Sequence, residues 1–171
     1  AGIEVNEMNS GCICCSLVGD FEKALEKVLE EYHPDRILIE PSGVGKLSDV
    51  VKAVKEAHLD TAQLCSCVTV ADITKCKMYM KNFGEFYNDQ IENANAIIFS
   101  RTDEVSQDKI DTAIDLVRTL NPDAVIVTTV WEQLEGKQIL EAVEHKHTLD
   151  AHICELEHHH HEHHHHHDHH N

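Results

Sequence analysis

The chain carries little positive charge. Lysine and arginine account for 14 of its 171 residues, against 31 aspartates and glutamates, so the formal net charge is −17 with the 16 histidines neutral. A surface this acidic repels nucleic acid and anionic lipid. It favours cationic partners instead, and metal ions are one such class.

Long apolar runs are also missing. No segment approaches the roughly 20 consecutive apolar residues that a membrane-spanning helix needs, and no secretory signal pattern is visible. Hydrophobic residues still make up 42 % of the chain, which is enough for a folded core. The seven cysteines are odd in number, and the adjacent Cys14 and Cys15 are poorly suited to a structural disulfide. We therefore expect reduced thiols in a cytoplasmic protein.

A phosphate-binding loop cannot be found in the chain. The segment Gly43-Val44-Gly45-Lys46 resembles the end of one, but the full motif has a glycine five residues before the Gly-Lys pair and Ser or Thr after it. Glu40 and Leu47 occupy those two positions. The printed chain therefore has no phosphate cradle of this type.

Short apolar segments alternate with helical patterns along the first 150 residues. The apolar segments predict strands at 1–6, 36–40, 64–71, 96–99 and 124–128. The helical patterns predict helices from Asp20, as N-cap, to His33, from Ser48 to Ala57, over 75–94 with a break near Gly84, over 106–120 and over 135–144. Continuous apolar strands that alternate with helices predict an α/β fold with a parallel sheet flanked by helices. We expect one domain over 1–150, and a disordered tail over 151–171.

A cysteine cluster near the beginning of the chain is the first candidate site. Cys12, Cys14 and Cys15 place three thiols within four positions. In an extended segment Cys12 and Cys14 point the same way, and two thiolates can bind one zinc ion. An open set of two or three ligands suits metal transfer better than a closed structural site. Cys65 and Cys67 also alternate, but in an apolar segment where core packing is favoured over a second metal pair.

Three segments begin at the carboxyl ends of predicted strands, where ligands bind in parallel α/β folds: Pro41 to Gly45, Asp72, and Ser100 to Asp103. Two of them are loops with candidate ligands. Glu40 ends one strand, and Gly43 follows three residues later. This resembles P-loop GTPases, in which an acid at a strand end helps to order the magnesium shell and a glycine N–H contacts the γ-phosphate. The second loop is Ser100-Arg101-Thr102-Asp103, which resembles the guanine-reading loop of GTPases. Its carboxylate, Asp103, can accept from both guanine N1–H and the exocyclic amine, and the stem of Arg101 can lie on the base. Taken alone, the first loop is also compatible with an ordinary strand–helix turn.

These segments together resemble the CobW family of metal-chaperone GTPases. The matching order is Gly11-Cys12-Ile13-Cys14-Cys15, Glu40-Pro41-Ser42-Gly43, Val70-Ala71-Asp72, Gln90-Ile91 before Ala94-Asn95, and Ser100-Arg101-Thr102-Asp103. The resemblance runs over most of residues 3–128. Ser100 departs from the usual asparagine of the guanine-reading loop, which alters its supporting hydrogen bonds.

The resemblance implies a P-loop GTPase-like fold, incomplete at its N-terminus, because the family begins with a strand and a phosphate-binding loop. It implies GTP and Mg²⁺ as ligands, with Glu40 and Gly43 sensing the γ-phosphate and Ser100 to Asp103 holding guanine. It further implies that Cys12, Cys14 and Cys15 bind a cargo metal, which is passed to a client metalloprotein. A metal- or nucleotide-dependent homodimer is a further expectation. We expect an internal fragment of a longer GTPase, inactive in GTP hydrolysis by itself.

The last residues are almost pure histidine, broken by two acidic residues. Their imidazoles suit zinc, nickel and cobalt alike, so they predict metal binding without naming the metal. The predicted ligands are His158, His159, His160, His161, His163, His164, His165, His166, His167, His169 and His170. A purification tag is the alternative interpretation, although the interrupting acids and the final Asn171 favour a natural tail.

Three functions remain open from the sequence. The first is a GTP-driven metallochaperone with zinc as the preferred cargo, because thiolates favour zinc. The second is a metal buffer or sensor that uses the cluster and the tail without GTP turnover. The third is a thiol redox protein, which the histidine-rich tail disfavours.

Overall fold

The computed structural model describes Val5, residues 18–59 and residues 61–144. The backbone divides into two compact units. One takes its described residues from Ala1–Leu64 and Lys77–Asn93, and the other from Cys65–Cys76 and Ala94–Asn171. Within the described part, no helix is long and apolar enough to cross a membrane.

Six helices and three strands are assigned along the described chain. The helices are α1 (Val18–Tyr32), α2 (Leu47–Glu56), α3 (Cys76–Asn82), α4 (Gly84–Glu92), α5 (Gln107–Leu120) and α6 (Gly136–Val143). The strands are β1 (Val68–Asp72), β2 (Ala96–Ser100) and β3 (Val125–Val127). Short 3₁₀ turns lie at Thr102–Glu104 and Trp131–Gln133.

The first unit is helical in its described residues. Phe21 and Leu25, one turn apart on α1, are buried together with Ala53 of α2. Ile37 and Leu59 pack against this cluster from the segments that flank α2. The buried face of α1 therefore has the i, i+4 spacing of an amphipathic helix.

Two predictions for this unit are wrong. Residues 36–40 form no strand, and the apolar Leu38 is 88 % exposed. Asp20 lies inside α1 rather than before it, because the helix already begins at Val18. The end of α1 ahead of His33 and the helix break at Gly84 are confirmed.

The second unit contains a parallel sheet in the order β1-β2-β3. The central strand β2 is buried from Ala96 to Phe99, which explains its continuous apolar sequence. In the ladder, Val68 lies beside Ala96, and Ala96 lies beside Val125. The predicted α/β fold with a parallel sheet is confirmed, although β1 begins at Val68 and not at residue 64.

Buried asparagines connect the amino-terminal ends of these strands. The Asn95 side chain accepts the backbone N–H of Cys67 at 2.8 Å, which closes the ladder just before β1. The Asn121 amide donates to the Ala94 carbonyl at 2.8 Å, and its oxygen accepts the Ala124 N–H at 2.9 Å. Because every one of these groups is buried and paired, this end of the sheet is a structural element.

Candidate functional site

The carboxyl ends of β1 and β2 lie side by side. Asp72, the last residue of β1, is in register with Ser100, the last residue of β2. The Ser100 hydroxyl is 3.4 Å from the Ala71 carbonyl, and the Ile73 N–H donates to the Ser100 carbonyl at 3.2 Å. The prediction that Asp72 and the Ser100 loop lie at the carboxyl ends of strands is confirmed. For Pro41 to Gly45 the same prediction is wrong, because residues 36–40 ahead of it form no strand.

Asp72 is held from both sides. One of its oxygens, Oδ1, accepts from the Thr74 backbone N–H at 2.9 Å and from the Thr74 hydroxyl at 2.6 Å. The other oxygen, Oδ2, lies 3.4 Å from Nε of Arg101. The carboxylate is therefore fixed in orientation, and it links the turn after β1 to the loop after β2.

Arg101 has a strained backbone. Its φ of 59° and ψ of 33° lie in the left-handed region, which a residue with a Cβ occupies at a cost of about 1–3 kcal/mol. The strained residue turns the chain out of β2 directly into the 3₁₀ turn Thr102–Glu104. The guanidinium of Arg101 also lies 3.8 Å from Glu104. Strain of this kind is maintained where the neighbouring contacts enforce it, and it concentrates at functional sites.

The first two side chains of this turn have different environments. Thr102 is 4 % exposed, and its hydroxyl has no hydrogen-bond partner among the described residues. Asp103 is exposed to solvent. Burial of Thr102 anchors the loop, while Asp103 presents a carboxylate to solvent.

The Glu40 segment lies in the first unit and has a well-defined turn. Glu40 is exposed, and the N–H of Gly45 donates to the Ser42 carbonyl at 2.9 Å. In a trans peptide the N–H points opposite to the carbonyl. The Gly43 N–H, which shares its peptide with the Ser42 carbonyl, therefore points away from the interior of the turn. Within the described residues, this N–H donates to no group.

Helix α4 fixes the same turn and the start of α2. The side-chain amide of Gln90 donates to the carbonyls of Gly43 and Gly45, at 3.1 and 2.8 Å. The carboxylate of Asp89 accepts from the backbone N–H and the hydroxyl of Ser48, at 3.0 and 2.6 Å. A carboxylate at this position also complements the positive end of the α2 dipole.

An ion pair adds a third connection between α4 and this segment. Nζ of Lys46 lies 2.9 Å from a carboxylate oxygen of Glu85. The hydrogen bond and the negative charge of Glu85 raise the pKa of Lys46 above its usual value of 10.5. The lysine is therefore charged, and it is engaged with Glu85.

Sequence reasoning assigned no role to Gln90, Asp89 or Thr74. Thr74 follows Asp72 at the spacing of an Asx turn, a local signal that identifies it. Gln90 and Asp89 contact residues 41 to 47 positions away. No local pattern reports such contacts.

The predicted metal ligands Cys12, Cys14 and Cys15, and all those of the histidine-rich tail, lie outside the described residues. Within the described part, no three His, Cys, Asp or Glu side chains group closely enough to hold a metal ion. Cys67 is buried, in agreement with core packing, but Cys65 is exposed and does not share that environment.

The chain is similar to one protein family and to several curated proteins. The family described as "CobW/HypB/UreG, nucleotide-binding domain" matches residues 1–128. No solved structure shows a significant match to the chain.

Three curated relatives illustrate the similarity. "Zinc-regulated GTPase metalloprotein activator 1" of Dictyostelium discoideum is 26 % identical over 80 % of this chain and 34 % of its own length. "Zinc chaperone CobW" of Sinorhizobium sp is 29 % identical over 67 % of this chain and 33 % of its own. "Zinc chaperone YeiR" of Escherichia coli (strain K12) is 27 % identical over 91 % of this chain and 43 % of its own. The chain thus spans about a third to two fifths of the length of these relatives.

Proposed function

Because the chain belongs to the CobW/HypB/UreG family of nucleotide-binding domains, we propose that it is the core of a GTP-dependent metallochaperone. In this proposal it binds a divalent metal and delivers it to a client metalloprotein in the cytoplasm, under the control of GTP hydrolysis. The proposal has three parts, which are guanine recognition, γ-phosphate sensing and cargo binding.

Guanine recognition rests on the loop after β2, and this is the observation that carries the proposal. The strained Arg101 turns the chain at the edge of the sheet, the buried Thr102 anchors it, and Asp103 is left exposed. An exposed, anchored carboxylate at a strand end suits the two adjacent N–H donors of guanine. The contact between Arg101 and Asp72 fixes the base of the same loop.

Sensing of the γ-phosphate is assigned to the turn that follows Glu40. An outward backbone N–H at Gly43, in a turn with no Cβ at that position, allows a phosphate oxygen to approach closely. A Cβ built on Gly43 meets nothing within 4 Å, so the approach is open. Glu40 is an exposed carboxylate beside this turn, and oxygen ligands of this kind suit Mg²⁺ and the water molecules of its shell.

Cargo binding is assigned to Cys12, Cys14 and Cys15, with zinc as the preferred cargo. Thiolates select zinc over harder cations, and the names of the three relatives refer to zinc. Nickel and cobalt are the alternatives. The histidines from His158 to His170 would raise the local metal concentration without choosing among these metals.

Guanine selectivity provides the test. Asparagine at position 103 keeps one acceptor but replaces the second with an N–H donor, which matches the C2 carbonyl of xanthine instead of the amine of guanine. In the gene product that carries this chain, Asp103→Asn should weaken guanine-nucleotide binding about tenfold or more and strengthen xanthine-nucleotide binding. Asp108→Asn, an exposed carboxylate in the first turn of α5, is the matched control.

Either of two results would contradict the proposal. If the wild-type protein does not prefer guanine over adenine nucleotides, the GTPase assignment is wrong. Unchanged selectivity in Asp103→Asn would remove this loop as the base-binding element. Metal binding without any guanine-nucleotide binding would favour a metal buffer or sensor.

A further inference from the structure

We propose that Gln90 is the positioning residue of the nucleotide-sensing turn, and that its bonds to the Gly43 and Gly45 carbonyls restrain the turn so that the Gly43 N–H stays available to a γ-phosphate. The inference rests on the proposed function, because it deepens the role given there to Gly43. It assigns a task to a helix α4 residue that has no part in binding the nucleotide directly.

The geometry of the Gln90 amide is specific. A single nitrogen, Nε2, lies 3.1 Å from the Gly43 carbonyl oxygen and 2.8 Å from the Gly45 carbonyl oxygen. An amide nitrogen carries two N–H groups, so each has one carbonyl acceptor. Because both partners are pure acceptors, only the nitrogen of the amide can occupy this position, which fixes the orientation of the side chain.

These two bonds complete the restraint of the turn. The Ser42–Gly43 peptide is fixed through its carbonyl, which accepts the Gly45 N–H at 2.9 Å. The next peptide is fixed through the Gly43 carbonyl by Gln90. Gly43 is thus held on both of its peptide planes, and its own N–H remains directed outward.

Neighbouring contacts of α4 secure the end of the segment. Glu85 and Asp89 lie one helical turn apart, on one face of α4. They pair with Lys46 and Ser48, at the beginning of α2. Those contacts fix the helix that follows the turn, whereas Gln90 alone of these α4 residues contacts the turn itself. Glu85 and Asp89 therefore stabilise the start of α2, whereas Gln90 restrains the turn that carries the Gly43 N–H.

A pre-organised donor lowers the free energy that a ligand must spend on ordering it. GTP and GDP differ by the γ-phosphate, so loss of the restraint on Gly43 should affect GTP binding selectively. In the proposed function the base is assigned to the loop after β2, and only the γ-phosphate is assigned to this peptide. The ratio of GDP to GTP dissociation constants is therefore the quantity that reports on Gln90.

The test uses Gln90→Glu, which keeps the shape and places a carboxylate against two carbonyl oxygens, and Gln90→Met, which removes the donors without adding charge. In the gene product that carries this chain, the preference for GTP over GDP should fall about tenfold in Gln90→Glu and less in Gln90→Met, with GDP affinity within about twofold of wild type. Gln133→Glu, an exposed glutamine in a 3₁₀ turn, is the control.

A second readout does not depend on the nucleotide. Hydrogen exchange of the nucleotide-free protein should quicken at the Gly45 amide in both Gln90 variants, and the amides in the middle of α2 should remain as protected as in wild type. If exchange at Gly45 is unchanged, Gln90 does not restrain the turn and the inference is wrong. If exchange quickens but the variants keep the wild-type preference for GTP, the restraint has no part in sensing and the inference is also wrong. If the wild-type protein does not prefer guanine over adenine nucleotides, the proposed function itself is wrong, and the inference falls with it.

Discussion

Arg101 reaches back from the loop after β2 to Asp72 at the end of β1, with Nε 3.4 Å from Oδ2. The pair joins the two strand ends that carry the proposed base-binding loop. The Arg101 side chain is 57 % exposed, so the ion pair itself contributes little to stability, about 0–1 kcal/mol. The ion pair is of interest because it accompanies a left-handed backbone conformation at Arg101, whose φ is positive.

Substitutions of Arg101 can distinguish the effect of backbone strain on stability from the effect of the ion pair with Asp72. Arg101→Gly and Arg101→Ala both remove the ion pair, but only glycine relieves the left-handed backbone. We expect Arg101→Gly to have a free energy of unfolding about 1 kcal/mol higher than Arg101→Ala, as measured by urea denaturation. Both variants should bind guanine nucleotides more weakly than wild type. An alanine variant as stable as the glycine variant would show that the loop relaxes and stores no strain.

The two glycines of the Glu40 turn should respond differently to alanine. A Cβ on Gly45 lies 3.1 Å from the Ser42 carbonyl oxygen, whereas a Cβ on Gly43 meets nothing within 4 Å. We therefore expect Gly45→Ala to lower the free energy of unfolding by about 1 kcal/mol and Gly43→Ala to leave it nearly unchanged. Gly43→Ala should nevertheless weaken GTP binding relative to GDP, since its methyl group stands where the phosphate approaches.

Thermal unfolding and nucleotide titration of the two variants provide the measurement. Equal destabilisation by the two substitutions would contradict the turn geometry. Full retention of the preference for GTP in Gly43→Ala would contradict the phosphate-sensing role of this peptide.

The amino-terminal end of the sheet should matter for stability and not for binding. Asn121→Ala removes the partner of the Ala94 carbonyl and of the buried Ala124 N–H. Each unsatisfied buried group costs about 1–3 kcal/mol, so the free energy of unfolding should fall by at least about 1 kcal/mol. The exposed Asn82→Ala is the control. A loss of stability below about 0.5 kcal/mol in Asn121→Ala would show that water replaces the lost bonds.

Sequence periodicity predicted the helices well because their buried faces depend on local spacing. Phe21 and Leu25 illustrate this, as does the break at Gly84, where two helices meet. The strand expected at 36–40 is absent because a parallel strand needs a neighbour to pair with, and an apolar run alone does not supply one. Leu38 is apolar and yet almost fully exposed in the structure.

The candidate site shows the same division. The placement of Asp72 beside Ser100 followed from the rule that parallel strands align their carboxyl ends. The start of β1 could not be predicted by such a rule, because Asn95 closes the ladder at Cys67 through a side-chain bond between residues distant in sequence. The contacts of Gln90 with Gly43 and Gly45 likewise depend on tertiary packing, which periodicity does not encode.

The central claim is that metal binding and nucleotide binding are coupled, and a cobalt titration tests it most directly. The reduced gene product without residues 158–171 would be titrated with Co²⁺ in the presence of GTP and, separately, of GDP, and the thiolate charge-transfer band would be followed. We predict one cobalt per chain, loss of the band in Cys12→Ser, and an apparent affinity that changes with the nucleotide, because two linked ligands must affect each other. A missing band, or one with the same affinity in GTP and GDP, would contradict the account.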